Sequence, residues 1–166
     1  MKIAITGGTS SVGQSIAKAY TKRGHTVIDI SRSLGYDFND INSIVDAILP
    51  CDIFVNCLYL PVLQIVLLEQ VWNHWVGTNK EIINVSTCVT LSAFDAKDAE
   101  YKKQKILLEN KHWELISENA LNPKMYLIKF GDGNDHTTWD NCCDYVVNSI
   151  ELAKPDVLLF EMSVFK

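Results

Sequence analysis

The sequence lacks the cysteine patterns that structural metal sites and disulfide scaffolds require. Its five cysteines stand at positions 51, 57, 88, 142 and 143, and no two of them form a Cys-x-x-Cys pair. An odd number of cysteines without metal-ligand spacing is typical of reduced thiols in the cytoplasm. We therefore expect the cysteines to be small buried hydrophobic residues, and we predict no metal site.

An excess of positive charge and a long apolar run are also missing. The chain has 15 Lys and Arg against 20 Asp and Glu, a net charge of −5. This balance, without a basic tract, argues against binding to nucleic acid or to an anionic membrane. The richest apolar run, 58–68, is broken by Pro61 and Gln64 and is too short to span a bilayer. Because a strand-like segment begins at Lys2 with no leader pattern before it, we expect no signal peptide and a cytoplasmic location.

What the 166 residues do contain is a regular alternation of strand-like and helix-like segments. Such alternation predicts right-handed crossovers and a parallel sheet that helices cover on both faces. Since no linker, repeat or low-complexity tract interrupts it, we expect residues 1–166 to form a single domain. The predicted strands are 2–6, 26–30, 52–57, 81–86, 124–130 and 156–161, and the predicted helices are 12–23, 41–49, 62–76, 97–118 and 138–153.

The first strand and helix enclose a glycine-containing loop, which reads Thr6-Gly7-Gly8-Thr9-Ser10-Ser11-Val12-Gly13. Glycine lets backbone N–H groups approach phosphate oxygens, and the helix N-terminus adds partial positive charge. Strand, loop and helix in this order form the arrangement that binds a dinucleotide pyrophosphate. A purely structural turn is the alternative. The expected cofactor contacts in this loop are Gly7, Thr9, Ser10, Ser11, Val12 and Gly13.

The end of the second predicted strand indicates which dinucleotide would bind. An acidic residue there would accept hydrogen bonds from the adenosine ribose and repel the extra phosphate of NADP. Asp29 is expected to turn into the sheet instead. Arg32 offers a planar cation for a 2′-phosphate, with Ser31 and Ser33 as neutral donors beside it. This pattern favours NADP over NAD; the alternative is that Arg32 is a solvated surface charge.

Two further side chains are candidates for the adenosine end of the cofactor. Asp37 is expected at the carboxyl end of a very short strand, where it would accept a hydrogen bond from adenine. Turn formation is the alternative there, and Asn39 or Asp40 is expected to cap the following helix. Asn56 ends a predicted strand at the edge that faces the cofactor crevice, so we expect it on the adenosine side.

Residues suited to proton transfer follow a later strand. Thr87 stands at the end of one predicted strand, and Tyr101 and Lys105 lie four residues apart on one face of a predicted helix. A tyrosine phenol with a pKa near 10 transfers protons poorly at neutral pH, and a nearby ammonium would lower that pKa. The Thr87 hydroxyl would hold a substrate oxygen beside the phenol. Because these three residues follow a dinucleotide-binding loop in the same chain, their combination predicts an acid–base site.

Together these motifs resemble the short-chain dehydrogenase/reductase family over essentially the whole chain. They are Thr6-Gly7…Gly13, Ser31-Arg32, Asp37, Val55-Asn56, Asn84-Val85-Ser86-Thr87, Tyr101-x-x-x-Lys105 and Asp132-Gly133-x-x-x-Thr137. The resemblance implies a Rossmann-type doubly wound parallel sheet in three α/β/α layers. It also implies catalytic roles for Thr87, Tyr101 and Lys105. In the same way it implies a nicotinamide-ribose contact from Lys105 and a contact near the carboxamide from Thr137.

The chain departs from the family pattern at several positions. Ser11 stands in place of the middle glycine of the loop, and Cys57-Leu58-Tyr59 replaces the usual Asn-Ala-Gly. Asn73 is the candidate for the family's additional catalytic asparagine. The chain is also shorter after Thr137, where the family builds its substrate lid, so an open site, a large or macromolecular substrate, or a loss of catalysis is compatible with the sequence.

The sequence thus predicts an NADP(H)-dependent oxidoreductase that transfers hydride between nicotinamide and a carbonyl or alcohol substrate, with Tyr101 as acid or base. The alternative is a non-catalytic NADP(H)-binding regulatory or interaction protein on the same fold. An epimerase of related fold is a third possibility, and the loop fits it less well because the epimerase glycine would fall at Ser10. A wide apolar face on helix 62–76 also predicts a homodimer or homotetramer formed through helices 62–76 and 97–118.

Overall fold

The computed structural model describes residues 1–91, 99–118, 123–131, 136–152 and 159–164. In this part the chain forms six strands and five α-helices in regular alternation. The strands are β1 (Lys2–Thr6), β2 (Thr26–Ile30), β3 (Ile53–Asn56), β4 (Glu81–Thr87), β5 (Lys124–Phe130) and β6 (Leu159–Val164). The helices are α1 (Ser11–Lys22), α2 (Ile41–Ile48), α3 (Pro61–Trp75), α4 (Ala99–Glu118) and α5 (His136–Leu152).

The strands form one parallel sheet in the order β2-β1-β3-β4-β5-β6. The chain reverses its direction across the sheet between β2 and β3, as a doubly wound fold requires, and helices cover both faces. The predicted Rossmann-type fold class is confirmed. The predicted helices and the first five strands agree with the structure to within two residues. The start of the sixth predicted strand, 156–158, lies outside the described residues, and β6 ends at Val164, three residues later than predicted.

The prediction of a very short strand that ends at Asp37 is wrong. Between β2 and α2 the chain forms a 3₁₀ turn, Arg32–Leu34, and then a loop. The Asp37 carboxylate accepts hydrogen bonds from the backbone N–H and the side-chain amide of Asn39, both at 2.9 Å. Asp40 caps α2 by accepting a hydrogen bond from the Ser43 N–H at 3.2 Å. Local turn and capping hydrogen bonds thus replace strand pairing, and β2 is one of the two edge strands of the described sheet.

Two cores lie on opposite faces of the sheet because side chains alternate along each strand. On β3, for example, Phe54 belongs to the core beneath α2, α3 and α4, and Val55 to the core beneath α1 and α5. Trp72 and Trp75 of α3 are 8% and 2% exposed and pack in the first of these cores. The apolar side of α3 is therefore largely covered within one chain, and its tryptophans serve packing.

Three cysteines, Cys51, Cys57 and Cys143, are buried free thiols, as expected for small core residues, whereas Cys88 and Cys142 are only half-buried. None of the described helices is long and apolar enough to cross a membrane.

Candidate functional site

The loop between β1 and α1 is packed too closely to admit side chains at two of its glycines. Gly7 has φ +74°, and a Cβ there would lie 2.4 Å from the carbonyl oxygen of Cys57. A Cβ at Gly13 would lie 2.3 Å from the Gly7 carbonyl oxygen. The loop therefore folds against the first turn of α1 and against the segment that follows β3.

Ser10 fixes the start of α1. Its hydroxyl accepts a hydrogen bond from the Gly13 N–H at 3.0 Å and donates one to the Gly7 carbonyl at 2.8 Å. Ser11, which replaces the middle glycine of the family pattern, is half-buried and begins the helix. The loop thus holds a glycine cradle at a capped helix N-terminus, which is the backbone arrangement that a pyrophosphate needs.

A cleft of about 220 Å³ opens in front of this loop. Hydroxyls and a guanidinium line one part of it, and apolar side chains line the rest. Its lining residues are Gly7, Thr9, Ser10, Ser31, Arg32, Phe38, Cys57, Leu58, Tyr59 and Leu60. Among these described residues Arg32 is the one cation and there is no carboxylate, so the cleft suits an anionic ligand with a planar or apolar part.

The sequence suggested that Asp29 turns into the sheet. In the structure its carboxylate lies against the glycine loop instead. A Cβ at Gly8 would lie 2.4 Å from the Asp29 Oδ1 atom, and that atom has no hydrogen-bond partner among the described residues. Ser31 donates to the other carboxylate oxygen at 3.3 Å and lies 3.1 Å, Oγ to Oγ, from Ser33. The two serine hydroxyls therefore connect Asp29 to the rim of the cleft, where exposed Arg32 stands.

Asn56 does not reach the cleft, contrary to the expectation that it contacts the adenosine side. Its side chain is fully buried. The amide donates to the Gln64 carbonyl at 2.8 Å and to Asn84 Oδ1 at 3.1 Å. Asn56 thus joins β3, α3 and β4 inside the protein, and the residues after it, from Cys57 onward, form the cleft wall.

Tyr101 lies beside the strand-end hydroxyl and beside the cleft wall. Thr87 hydrogen-bonds the phenol, and the Tyr101 ring stacks on Tyr59 with centroids 5.3 Å apart and an interplanar angle of 20°. Burial raises the pKa of Tyr101 to about 12, and the Thr87 hydrogen bond opposes that rise. The expected lowering of this pKa is therefore wrong in this arrangement, because desolvation of the phenolate and, to a smaller extent, Tyr59 and Cys57 raise it, and the Thr87 hydrogen bond alone does not offset them.

Lys105 is 4% exposed, and its ammonium is directed to protein acceptors. It donates to Gln64 Oε1 at 2.9 Å and to the Val85 carbonyl at 3.0 Å. The ammonium nitrogen also stands 5.7 Å from the centroid of the Tyr101 ring. Burial lowers the pKa of Lys105 to about 8, partly offset by the Cys57 thiol and the Glu109 carboxylate.

Ser86 and Thr87, the adjacent hydroxyls at the end of β4, have different partners. Ser86 donates to Glu109 Oε1 at 2.6 Å, whereas Thr87 meets Tyr101. Glu109 also forms a buried ion pair with Lys129 of β5 at 3.0 Å. Thr87 is thus the hydroxyl beside the phenol, and Ser86 belongs to a buried charge network one helical turn beyond Lys105.

Three residues of the site were missed from the sequence: Gln64, Tyr59 and Glu109. Asn73, the candidate additional asparagine, is exposed near the carboxyl end of α3, nine positions and about 13 Å along the helix from Gln64. Gln64 is the one polar residue within the apolar first half of α3, and that interruption was the available signal.

Some predicted site residues lie beyond what the structure describes. Thr137 belongs to the first turn of α5, but its side chain is outside the described residues. Asp132 and Gly133, which precede it in the same motif, are outside them as well. In the described part of the chain, no group of three or more His, Cys, Asp or Glu side chains is placed to hold a metal ion.

No family model and no curated protein matches the sequence. Solved structures match throughout its length. An alcohol dehydrogenase from the archaeon Thermococcus sibiricus, complexed with 5-hydroxy-NADP, aligns with a TM-score of 0.78 at 14% identity over 99% of this chain and 96% of that chain. A short-chain dehydrogenase/reductase from Vibrio parahaemolyticus aligns at 0.77, with 12% identity over 98% of each chain. The protein has the short-chain dehydrogenase/reductase fold.

Serine dehydrogenase from Escherichia coli has this fold too, with a TM-score of 0.77 and 17% identity over 99% of this chain and 97% of that chain. The family resemblance predicted from the motifs is thereby confirmed at the level of the fold. Similarity at such identities establishes the short-chain dehydrogenase/reductase architecture and leaves the chemistry to be argued from the site.

Proposed function

We propose that this protein is an NADP(H)-dependent oxidoreductase of the short-chain dehydrogenase/reductase type that transfers hydride between nicotinamide and a carbonyl or alcohol. One observation carries the proposal. Tyr101, hydrogen-bonded by Thr87, stacks on Tyr59, and Tyr59 also lines the cleft in front of the glycine loop. The candidate acid and the glycine loop that would hold the dinucleotide therefore adjoin the same wall of the cleft.

The residues present fit the adenosine and phosphate part of such a cofactor. The loop from Gly7 to Gly13 would hold the pyrophosphate through backbone N–H groups, and Arg32 would pair with a 2′-phosphate. Phe38 and Leu58 supply apolar walls for a base. The cofactor, when bound, supplies the hydride.

Tyr101 would exchange a proton with the substrate oxygen. With its pKa raised to about 12, the phenol is protonated at neutral pH, which suits donation to a carbonyl oxygen during reduction. Thr87 would orient both the phenol and the substrate oxygen, and Lys105 would supply positive charge from beneath the ring. Lys105 would also bind the nicotinamide ribose, and Thr137 would lie near the carboxamide.

Replacing the phenol tests the assignment of the acid. Tyr101→Phe keeps the ring and its stacking partner, so affinity for NADPH should change less than about twofold, while kcat for carbonyl reduction falls by roughly 10²–10⁴. NADPH absorbance and fluorescence titration measure the two quantities. Tyr145→Phe, which alters an exposed tyrosine of α5, is the matched control. Unchanged turnover in Tyr101→Phe would rule out the proposed role.

The preference for NADP is tested at Arg32. Arg32→Gln should weaken NADPH binding by about 10-fold or more and leave NADH binding nearly unchanged, because a charge-assisted contact to the 2′-phosphate would be lost. Lys22→Gln removes the same charge from an exposed side chain at the end of α1 and serves as the control. Equal losses for NADPH and NADH in Arg32→Gln would contradict the preference.

A non-catalytic NADP(H)-binding protein is the second candidate. Two observations favour it. Tyr59 stacks on Tyr101 and covers one face of its ring, and the Lys105 ammonium donates its hydrogen bonds to Gln64 and Val85. Saturable NADPH binding without oxidation across a broad panel of carbonyl compounds would support this candidate and oppose the enzyme.

We also propose self-association through α3 and α4, as a homodimer or homotetramer. These helices pack on each other and still leave Val62, Ile106 and Leu107 at 70%, 36% and 48% exposure. Exposed apolar side chains on neighbouring helices favour a contact between chains.

A further inference from the structure

Gln64 is a buried amide in the apolar first half of α3, and each of its side-chain polar atoms has a partner. Its Nε2 atom donates to the Asn56 carbonyl at 2.7 Å and to the Val85 carbonyl at 3.1 Å. Its Oε1 atom accepts from the Lys105 ammonium at 2.9 Å. The side chain is 0% exposed, so protein groups alone satisfy it.

The partners determine which way this amide points. Both carbonyls at the ends of β3 and β4 accept hydrogen bonds, so they require the NH₂ group of Gln64, and an ammonium can only donate. The reversed amide would set an N–H against a cation and an oxygen against carbonyl oxygens. Oxygen toward Lys105 is therefore the one orientation that satisfies every atom.

We propose that Gln64 is a positioning residue that holds the Lys105 ammonium beneath Tyr101 by linking it to the ends of β3 and β4. The catalytic consequence of this role rests on the proposed function, whereas the contact itself does not. The other titratable groups facing Lys105 are the Cys57 thiol after β3 and Tyr101 and Glu109 on α4.

Substitutions at Gln64 separate its acceptor role from its packing role. Gln64→Glu keeps the length and places a carboxylate oxygen against the ammonium, so the pKa of Lys105 should rise by about 1 or more. Its second oxygen loses the hydrogen bonds that Nε2 donates to the Asn56 and Val85 carbonyls, so this variant should also be less stable. Gln64→Met keeps the volume and removes the acceptor, so that pKa should fall. Gln70→Glu makes the same chemical change at an exposed position of α3 and should leave Lys105 unaffected.

The measurement is an NMR pH titration of lysine side-chain signals in the full cofactor-free chain, with Lys105 assigned from Lys105→Met. Opposite displacements in Gln64→Glu and Gln64→Met, with none in Gln70→Glu, support the proposal. Identical Lys105 titrations in the wild type and in either folded Gln64 variant would overturn it.

A measurement on the wild type remains decisive if the variants fail to fold. The Gln64 side-chain NH₂ resonances should shift with the same midpoint as Lys105, because the acceptor of the same amide loses a charged donor. Gln70 resonances should not follow that midpoint. Gln64 resonances that are insensitive to the Lys105 titration would overturn the proposal.

Kinetics then distinguish this proposal from the function on which it builds. In an active enzyme, Gln64→Glu should lower kcat about 10-fold at neutral pH, since the charge beneath the phenol is partly neutralised, and should displace the pH dependence of kcat. A purely destabilising change would reduce the active fraction and leave the pH profile in place, which would count against positioning. Wild-type protein without turnover would refute the proposed function while the NMR coupling still decides the role of Gln64.

Discussion

Beneath α1 and α5 the buried side chains are mostly apolar, whereas beneath α3 and α4 amide, ammonium, imidazole and carboxylate groups are buried among apolar ones. The first face carries its charges at the rim, as in the pair of Lys18 with Asp140. The second face carries the Glu109–Lys129 pair inside, at 11% and 6% side-chain exposure. A continuous chain of hydrogen bonds also crosses this face: Lys105, Gln64, Asn56, Asn84 and His112.

The two faces therefore differ in the free energy of desolvation, because polar groups are buried mainly on the face beneath α3 and α4. An apolar core is sufficient to cover a sheet, and burying a polar group is unfavourable unless its partners are complete. The buried polar groups adjoin Thr87, Tyr101 and Lys105, so the costly face is the one that supports the candidate chemistry. Clusters of this kind are commonly associated with functional sites.

The largest expected effect comes from breaking the inner ion pair. Lys129→Met leaves the Glu109 carboxylate buried beside Ser86 and should lower the free energy of unfolding by about 3–5 kcal/mol. Lys18→Met removes a lysine that is 71% exposed and should cost about 0–1 kcal/mol. Urea denaturation of both variants makes the comparison. Equal losses would mean that the two faces do not differ energetically.

A somewhat smaller effect should appear as a pH dependence on the inner face. His112 is fully buried, and burial lowers its pKa to about 4, so the folded chain keeps it neutral while the unfolded chain takes up a proton below about pH 6.5. The free energy of unfolding should therefore fall between pH 6.5 and 4, and this histidine should account for about 3 kcal/mol of the loss.

His112→Gln should make that acid slope shallower, as measured by urea denaturation at several pH values. His74→Gln alters an exposed histidine of α3 and should leave the slope as it is. A wild-type slope retained in His112→Gln would place the acid sensitivity elsewhere.

The smallest expected effect concerns the outer surfaces of the same two layers. Charges cover the contact of α1 and α5, whereas α4 exposes Leu107. If α3 and α4 pair between chains, Leu107→Glu should raise the dissociation constant about 10-fold in sedimentation velocity. Wild-type protein that is monomeric at micromolar concentration would refute the pairing.

Much of the fold could be predicted because its signals are local. Period-2 and apolar strand segments, helical spacing and a glycine loop are readable over a few residues, and they place α1 to α5 and β1 to β5 correctly. The carboxyl end of β6 was predicted three residues too early, since Glu161 and Ser163 interrupt the apolar run although their alternation with Met162 and Val164 still fits a strand. The strand predicted at Asp37 gave way to an Asx turn, which the same residues favour.

The site was only partly readable because burial is not a local property. Tyr101 and Lys105 follow from their spacing, but the direction of the Tyr101 pKa depends on how much water surrounds the phenol. Gln64 and Glu109 are polar residues on helices, and a polar residue on a helix is normally expected to face solvent. Their roles come from β4 ending against both helices, which a linear pattern does not specify.

The segment between β2 and α2 is held by its own turns, through hydrogen bonds from Leu34 and Tyr36 to the Ser31 carbonyl and from Asp40 to the Asp37 carbonyl. No strand pairing depends on it, so substitutions there leave the sheet register untouched. The hydroxyl, phenol and ammonium at the opposite end are bound into the core and have no such freedom. Under the proposed function, a few substitutions in this segment could change the preferred nucleotide without disturbing the sheet, whereas the hydroxyl, phenol and ammonium would have to be kept together.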